Sequence, residues 1–179
     1  MKSFKSTLRR FAEDESATVT TEFIIVMPML VMWWIGSIVF FDAFDARAGA
    51  SRVSHTIADN ISRQVSTSAA MIDDLLVLQN RMLPNDPVGY VRITQIQKDA
   101  LGNLVIEWSY STDGAALTDI VEIPTAIMPP MGNGQRILLV DTAVPYIPIA
   151  KIVGITAQTW VNRVYTNARF VDNIPFVIP

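Results

Sequence analysis

An uncharged, almost wholly apolar run between residues 23 and 41 limits this chain more than any other feature. At about 1.5 Å of rise per helical residue the run reaches roughly 29 Å, close to the hydrocarbon thickness of a bilayer. A cleaved secretory signal has an apolar core of about 7–15 residues and a small-residue cleavage site after it, whereas Asp42 and Asp45 follow this run. The alternative, a core helix of a soluble protein, normally carries a polar stripe. The run therefore predicts a transmembrane helix that stays in the protein.

Basic residues indicate how this helix crosses the membrane. Before the run stand Lys2, Lys5, Arg9 and Arg10, and the first basic residues after it are Arg47 and Arg52. Lys and Arg near the ends of a span favour the cytoplasmic side. We therefore expect a single-pass protein with a cytoplasmic N-terminus and the rest of the chain outside the membrane.

A lone carboxylate, Glu22, stands directly before the apolar run. In one interpretation it is an interfacial charge near the N-terminus of the helix, where the macrodipole favours it. In the other it is functional, because a carboxylate carried into the bilayer costs several kcal/mol unless it is paired. A free α-amine on a neighbouring subunit could supply that partner.

The residues around Glu22 resemble a known pattern. A basic leader with Arg9-Arg-Phe-Ala-Glu-Asp-Glu15 is followed by Glu22-Phe23 and Met27-Pro28. This order is similar to the N-terminus of the TadE-like minor pilins (pseudopilins) of tight-adherence (Tad, or Flp) type IV pilus systems. In that family a dedicated prepilin peptidase cuts after a small residue, usually Gly, and a Glu is the fifth residue of the mature chain.

The resemblance implies cleavage between Ala17 and Thr18, with Ala17 standing where Gly is usual. It implies that Glu22, Phe23 and Pro28 take part in assembly. The implied location is the bacterial inner membrane, with the C-terminal domain periplasmic or extracellular in a pilus. The implied partners are the prepilin peptidase, other pilins, proteins of the pilus assembly platform and the lipid bilayer.

After the run, small and apolar residues recur at three- and four-residue steps over 43–66, which predicts that the helix continues through this segment. Together with the transmembrane run it makes one helix of roughly 45–50 residues. The residues of this apolar or small face are Phe44, Ala48, Ser51, Ser54, Ile57, Ala58, Ile61 and Val65. A second helix is predicted over 69–83, after a Ser/Thr N-cap and before the prolines at 84 and 87.

From residue 90 the hydrophobic period changes to two, which predicts strands. The first two strands form a hairpin around Gly102-Asn103, and two further strands are expected over 135–143 and 158–165. An apolar loop at 145–155 either lies on the sheet or is exposed to a membrane or another subunit. Residues 167–179 are expected to form a tail.

The predicted fold class is α+β, with a single N-terminal transmembrane helix extended into a long stem, a second short helix and a pilin-like four-stranded antiparallel sheet. The segments are a leader peptide (1–17), the transmembrane helix (18–42), an extracytoplasmic stem with the second helix (43–83) and a small β domain with the apolar loop and tail (84–179). The order of Trp108-Ser109 and Tyr146-Ile-Pro148 along the β part is also similar to Tad-type minor pilins and their TadG-like relatives.

Catalysis and nucleic-acid binding find little support in the sequence. The chain has one histidine, His55, and no cysteine, and it has no Gly-rich phosphate loop or spaced metal-ligand cluster. Asp73 and Asp74 are neighbours on a predicted helix and so do not face the same point. The sequence has no stripe of basic residues, so nothing in it suggests nucleic-acid binding. We expect a minor pilin for adhesion or biofilm formation, with no enzymatic activity, cofactor or metal, and the alternative is an uncleaved membrane-anchored scaffold or binding module.

Overall fold

The computed structural model describes residues 15–84, 88–113, 123, 125, 128–151 and 154–178. Within these residues the chain forms two helices, α1 (Glu15–Ser62) and α2 (Ala69–Arg81), and six strands. The strands are β1 (Thr67–Ser68), β2 (Tyr90–Lys98), β3 (Leu104–Ser111), β4 (Arg136–Tyr146), β5 (Gln158–Thr166) and β6 (Phe176–Val177). The chain divides into two compact units, one made of residues 1–42 with 149–155 and the other of 43–148 with 156–179.

In the first unit the described part of α1 is a bare apolar helix. Its side chains from Val19 to Trp34 are exposed, and burial begins only at its last turns, where Gly36 and Val39 are buried. Helix α1 is the one described helix that is long and apolar enough to cross a membrane. The predicted long N-terminal helix is confirmed, and its 48 residues agree with the expected 45–50.

In the second unit an antiparallel sheet with the order β3-β2-β4-β5 carries both helices on one face. Apolar side chains of α1, α2 and the central strands form the main core, because Val, Ile and Leu occupy most of the alternating positions of β2 and β4 on that face. Two polar residues, Gln95 and Thr142, share the face, and the Thr142 hydroxyl is hydrogen-bonded to the Ser54 hydroxyl of α1 at 2.5 Å. The largest fully buried members are Ile57, Ile61, Ile72, Ile93, Leu138 and Ile174. The predicted α+β class and four-stranded antiparallel sheet are confirmed.

The hairpin between β2 and β3 forms at the predicted place. Gly102 has a φ of 90°, which glycine adopts without the strain that a side chain adds. The Asp99 carboxylate closes the turn by accepting hydrogen bonds from the Asn103 backbone N–H at 2.7 Å and from the Asn103 side-chain amide at 3.1 Å. The backbone hydrogen bond from Asn103 is the main cause that lowers the pKa of Asp99 below its ordinary value.

The packing face of α1 differs in part from the predicted one. Ser54, Ile57, Ala58 and Ile61 of the predicted face are buried, but Phe44, Ala48 and Val65 are exposed. In the second unit the helix instead begins its buried face with small residues, Ala43 and Ala50. A small side chain lets the helix backbone approach its neighbours closely. The buried face therefore includes Ala43 and not the larger, more apolar Phe44 that follows it.

The C-terminal segment is not a loose tail, which corrects the sequence expectation. Strand β6 pairs in parallel with β1, with Thr67 opposite Phe176. Ile174 is fully buried, its backbone N–H donates to the Gln95 side chain at 3.1 Å, and its carbonyl accepts from the Trp108 indole N–H at 2.8 Å. We call residues 167–178 the C-terminal strap, because they tie α1, β2 and β3 together.

Candidate functional site

The residues expected to be processed lie within α1. Ala17 and Thr18 are both helical, so the peptide bond between them belongs to the helix. A peptidase needs an extended backbone at the bond that it cuts, and a helix reaches that state only by opening locally. Cleavage at this bond therefore requires local opening of the helix.

Glu22 and Phe23 lie about one turn further along the same helix. Both side chains are exposed, and 62% of the Phe23 surface is accessible. Glu22 is the only charged residue between Val19 and Phe41. In a bilayer this single carboxylate would favour a cationic partner, because an unpaired charge is costly there.

Pro28 is accommodated inside α1. Because proline has no backbone N–H, the carbonyl of Ile24 lacks its usual helical donor. Membrane-spanning helices tolerate this where neighbouring groups satisfy the freed carbonyl. Further along, the Ser37 hydroxyl donates to the Trp33 carbonyl at 2.9 Å, so this polar side chain is satisfied within the helix itself.

The exposed apolar surface of this segment is unusual in its extent. Large apolar side chains point outward on all sides of the helix between residues 23 and 34: Phe23, Ile24, Ile25, Val26, Met27, Met29, Leu30, Val31, Met32, Trp33 and Trp34. Contiguous apolar surface of this size marks a contact with lipid or with other protein chains. The predicted assembly residues Glu22, Phe23 and Pro28 thus share one exposed helical segment, which we call the apolar stem (residues 19–41).

Sequence reasoning missed the main charge cluster of the second unit. Asp141 on β4 accepts hydrogen bonds from Arg92 on β2 and from Arg163 on β5, the latter through Nε at 2.6 Å. The register places these residues side by side on the sheet face opposite the helices. Hydrogen bonding to Asp141 raises the pKa of Arg163. The available sequence signal was a charged residue within each of the three strands. Which of these residues pair depends on the register of the strands, and that is visible only in the structure.

The histidine and the two neighbouring aspartates of the sequence, His55, Asp73 and Asp74, lie apart from this charge cluster. His55 is exposed on α1. The Tyr110 hydroxyl donates to the Asp73 carboxylate at 3.1 Å, and burial followed by this contact raises the pKa of Tyr110. Asp74 is exposed on α2. Among the residues that the structure describes, no group of three or more His, Cys, Asp or Glu side chains is arranged to hold a metal ion.

Comparison with known proteins gave no match, whether with protein-family models, curated proteins or solved structures.

Proposed function

We propose that this protein is a minor pilin, or pseudopilin, that takes part in assembly of a Tad-type pilus for adhesion or biofilm formation. The observation that carries the proposal is the apolar stem, which is exposed on all sides from Val19 to Trp34 and has one carboxylate, Glu22, near its start. The pilin-like N-terminal pattern adds Phe23 and Pro28 at the expected spacing. In this proposal the stem lies in the inner membrane and then packs against other pilins.

The second unit supports the same proposal. Helix α1 continues beyond the stem and contributes the buried face from Ala43 to Ile61 to an α+β unit. A pilin subunit combines these same parts, an apolar N-terminal helix for assembly and a folded α+β head built on its continuation. Under this proposal the head is extracytoplasmic and contacts other subunits or the assembly platform.

Processing would give Glu22 a partner. Cleavage after Ala17 would make Thr18 the N-terminal residue, and its α-amine would be cationic at neutral pH. In an assembling filament the amine of one subunit could pair with Glu22 of the next. An uncleaved chain lacks this amine, so processing and assembly would be coupled.

The alternative function is an uncleaved membrane-anchored scaffold or binding module. One observation favours it, since the bond between Ala17 and Thr18 is helical and has to open before a peptidase can cut it. The two functions differ in the mature N-terminus and in the need for Glu22.

The deciding experiment is to express the full chain with and without the prepilin peptidase of its own host and to measure the mature mass and N-terminal residue. We expect a peptidase-dependent product that starts at Thr18. An intact N-terminus in both samples would refute processing and support the scaffold.

A second measurement tests Glu22 itself. Glu22→Ala is expected to abolish co-purification with the other pilins, while Asp74→Ala, which removes an exposed carboxylate from α2, should leave it unchanged. Equal recovery of pilins with both variants would contradict the assembly role.

A further inference from the structure

The loop between β4 and β5 belongs in part to the compact unit of the apolar stem. Residues 149–155 group with residues 1–42, apart from the sheet that the loop connects. Ile149 is 73% exposed, and Lys151 and Gly154 are exposed as well. Gly154 has a φ of 79°, which allows the chain to turn back sharply there. The loop therefore presents an apolar side chain outward, close in sequence to a basic one.

The burial pattern shows which end of the apolar stem is covered by other residues. Described side chains from Val19 to Trp34 are all exposed, whereas Gly36 and Val39, three residues apart on one helix face, are buried. At 1.5 Å per residue, Gly36 lies about 8 Å before Phe41, the last apolar residue of the run. The covered part of the stem is thus its C-terminal end, at the depth where a bilayer changes from hydrocarbon to headgroups.

We propose that the β4–β5 loop inserts Ile149 into the interfacial layer of the outer leaflet, as a second membrane contact beside the stem. The proposal rests on the membrane placement of the stem under the proposed function, and it does not depend on processing. Its occupant is lipid, because the stem in the same unit already requires a bilayer around it. An apolar side chain at this level is continuous with that lipid-facing surface.

The charge of the loop fits the same occupant. Lys151 stands two residues after Ile149 and is exposed. A lysine at the membrane surface extends its ammonium group toward lipid phosphates while its methylene stem covers apolar surface. A loop with one inserted Ile and one Lys at the phosphate level would be held at the membrane surface by both side chains.

The absence of cysteine from the chain allows a clean test of depth. Ile149→Cys in the full chain is spin-labelled and reconstituted into vesicles of phosphatidylethanolamine and phosphatidylglycerol. Collision of the label with oxygen, which concentrates in lipid, is then compared with collision with a water-soluble nickel chelate. Two control sites are Phe41→Cys on the stem, 75% exposed, and Leu101→Cys at the β2–β3 hairpin, 87% exposed.

We expect the oxygen-to-nickel collision ratio at residue 149 to approach that at residue 41 and to exceed that at residue 101. A ratio at residue 149 equal to that at residue 101, with residue 41 in lipid, would overturn the loop contact and leave the membrane span intact. Aqueous ratios at both 149 and 41 would overturn the span together with this inference. Protection of residue 149 from both reagents, with dipolar broadening between labels, would overturn it in favour of a contact with a second copy.

Discussion

The C-terminal strap yields the sharpest prediction of stability, because it contains a matched pair of residues. Ile174 is completely buried in the main core, while Ile178, four residues later in the same strap, is 83% exposed. Ile174→Ala removes three carbon atoms from the core and leaves the backbone hydrogen bonds to Gln95 and from Trp108 in place. The comparison therefore isolates packing from hydrogen bonding.

The expected loss follows from the buried carbon atoms. Each buried methylene-sized group contributes about 0.8 kcal/mol, which gives about 2.4 kcal/mol for three groups. The cavity that remains adds to this, so we expect Ile174→Ala to lower the free energy of unfolding by about 3–4 kcal/mol. Ile178→Ala should change it by less than about 0.5 kcal/mol, as is usual for exposed positions.

The measurement is urea unfolding of the full chain in detergent micelles, followed by pulse proteolysis of the unfolded form. A lower urea midpoint for Ile174→Ala with an unchanged urea dependence is the expected result. Hydrogen exchange at β1 and β6 should also accelerate in this variant. If the two alanine variants unfold within about 0.5 kcal/mol of each other, the strap is not part of the core and the reasoning fails.

Two further predictions concern carboxylates. Asp141→Ala should lower the free energy of unfolding by about 3–5 kcal/mol, because it removes the buried carboxylate that pairs with the buried Arg92 and the partly buried Arg163. Asp59→Ala is the control in the same urea assay, since Asp59 also pairs with two arginines but is 41% exposed, and the expected loss is below about 1 kcal/mol; equal losses would contradict the role of burial. For Asp99 the folded-state pKa lies below the unfolded one, so its contribution is present above about pH 4 and is lost as the pH falls through the folded pKa. Asp99→Asn should therefore unfold with a weaker pH dependence between about pH 5 and about pH 2 than the unchanged chain, and an identical dependence would contradict this.

The sequence predicted the elements whose causes are local. The apolar stem followed from composition, α2 from its N-cap and closing prolines, and the hairpin from Gly102-Asn103. These predictions succeeded because each depends on residues close together in the chain.

The remaining features depend on distant partners. Strand β6 has only two residues, which is too short for a period, and its existence depends on pairing with Thr67 and Ser68. The grouping of Asp141 with its two arginines required the register of three strands. The sequence placed Phe44 on the packing face of α1 because it is more apolar than Ala43. In the structure Ala43 is on that face, because its small side chain lets the helix approach its neighbours closely. Likewise, no local signal placed residues 149–155 in the same unit as the stem.

The strap follows in sequence the helices and the sheet that it covers, and this order determines when the second unit can be completed during synthesis. Ile174 and β6 leave the ribosome after the other described elements of this unit, yet they close a core that begins with Ala50 on α1. At about 10 residues per second, more than ten seconds separate the appearance of the two. During that interval the apolar faces of α1 and the sheet lack their final cover, so a nascent chain stalled before residue 174 would be a natural substrate for chaperones.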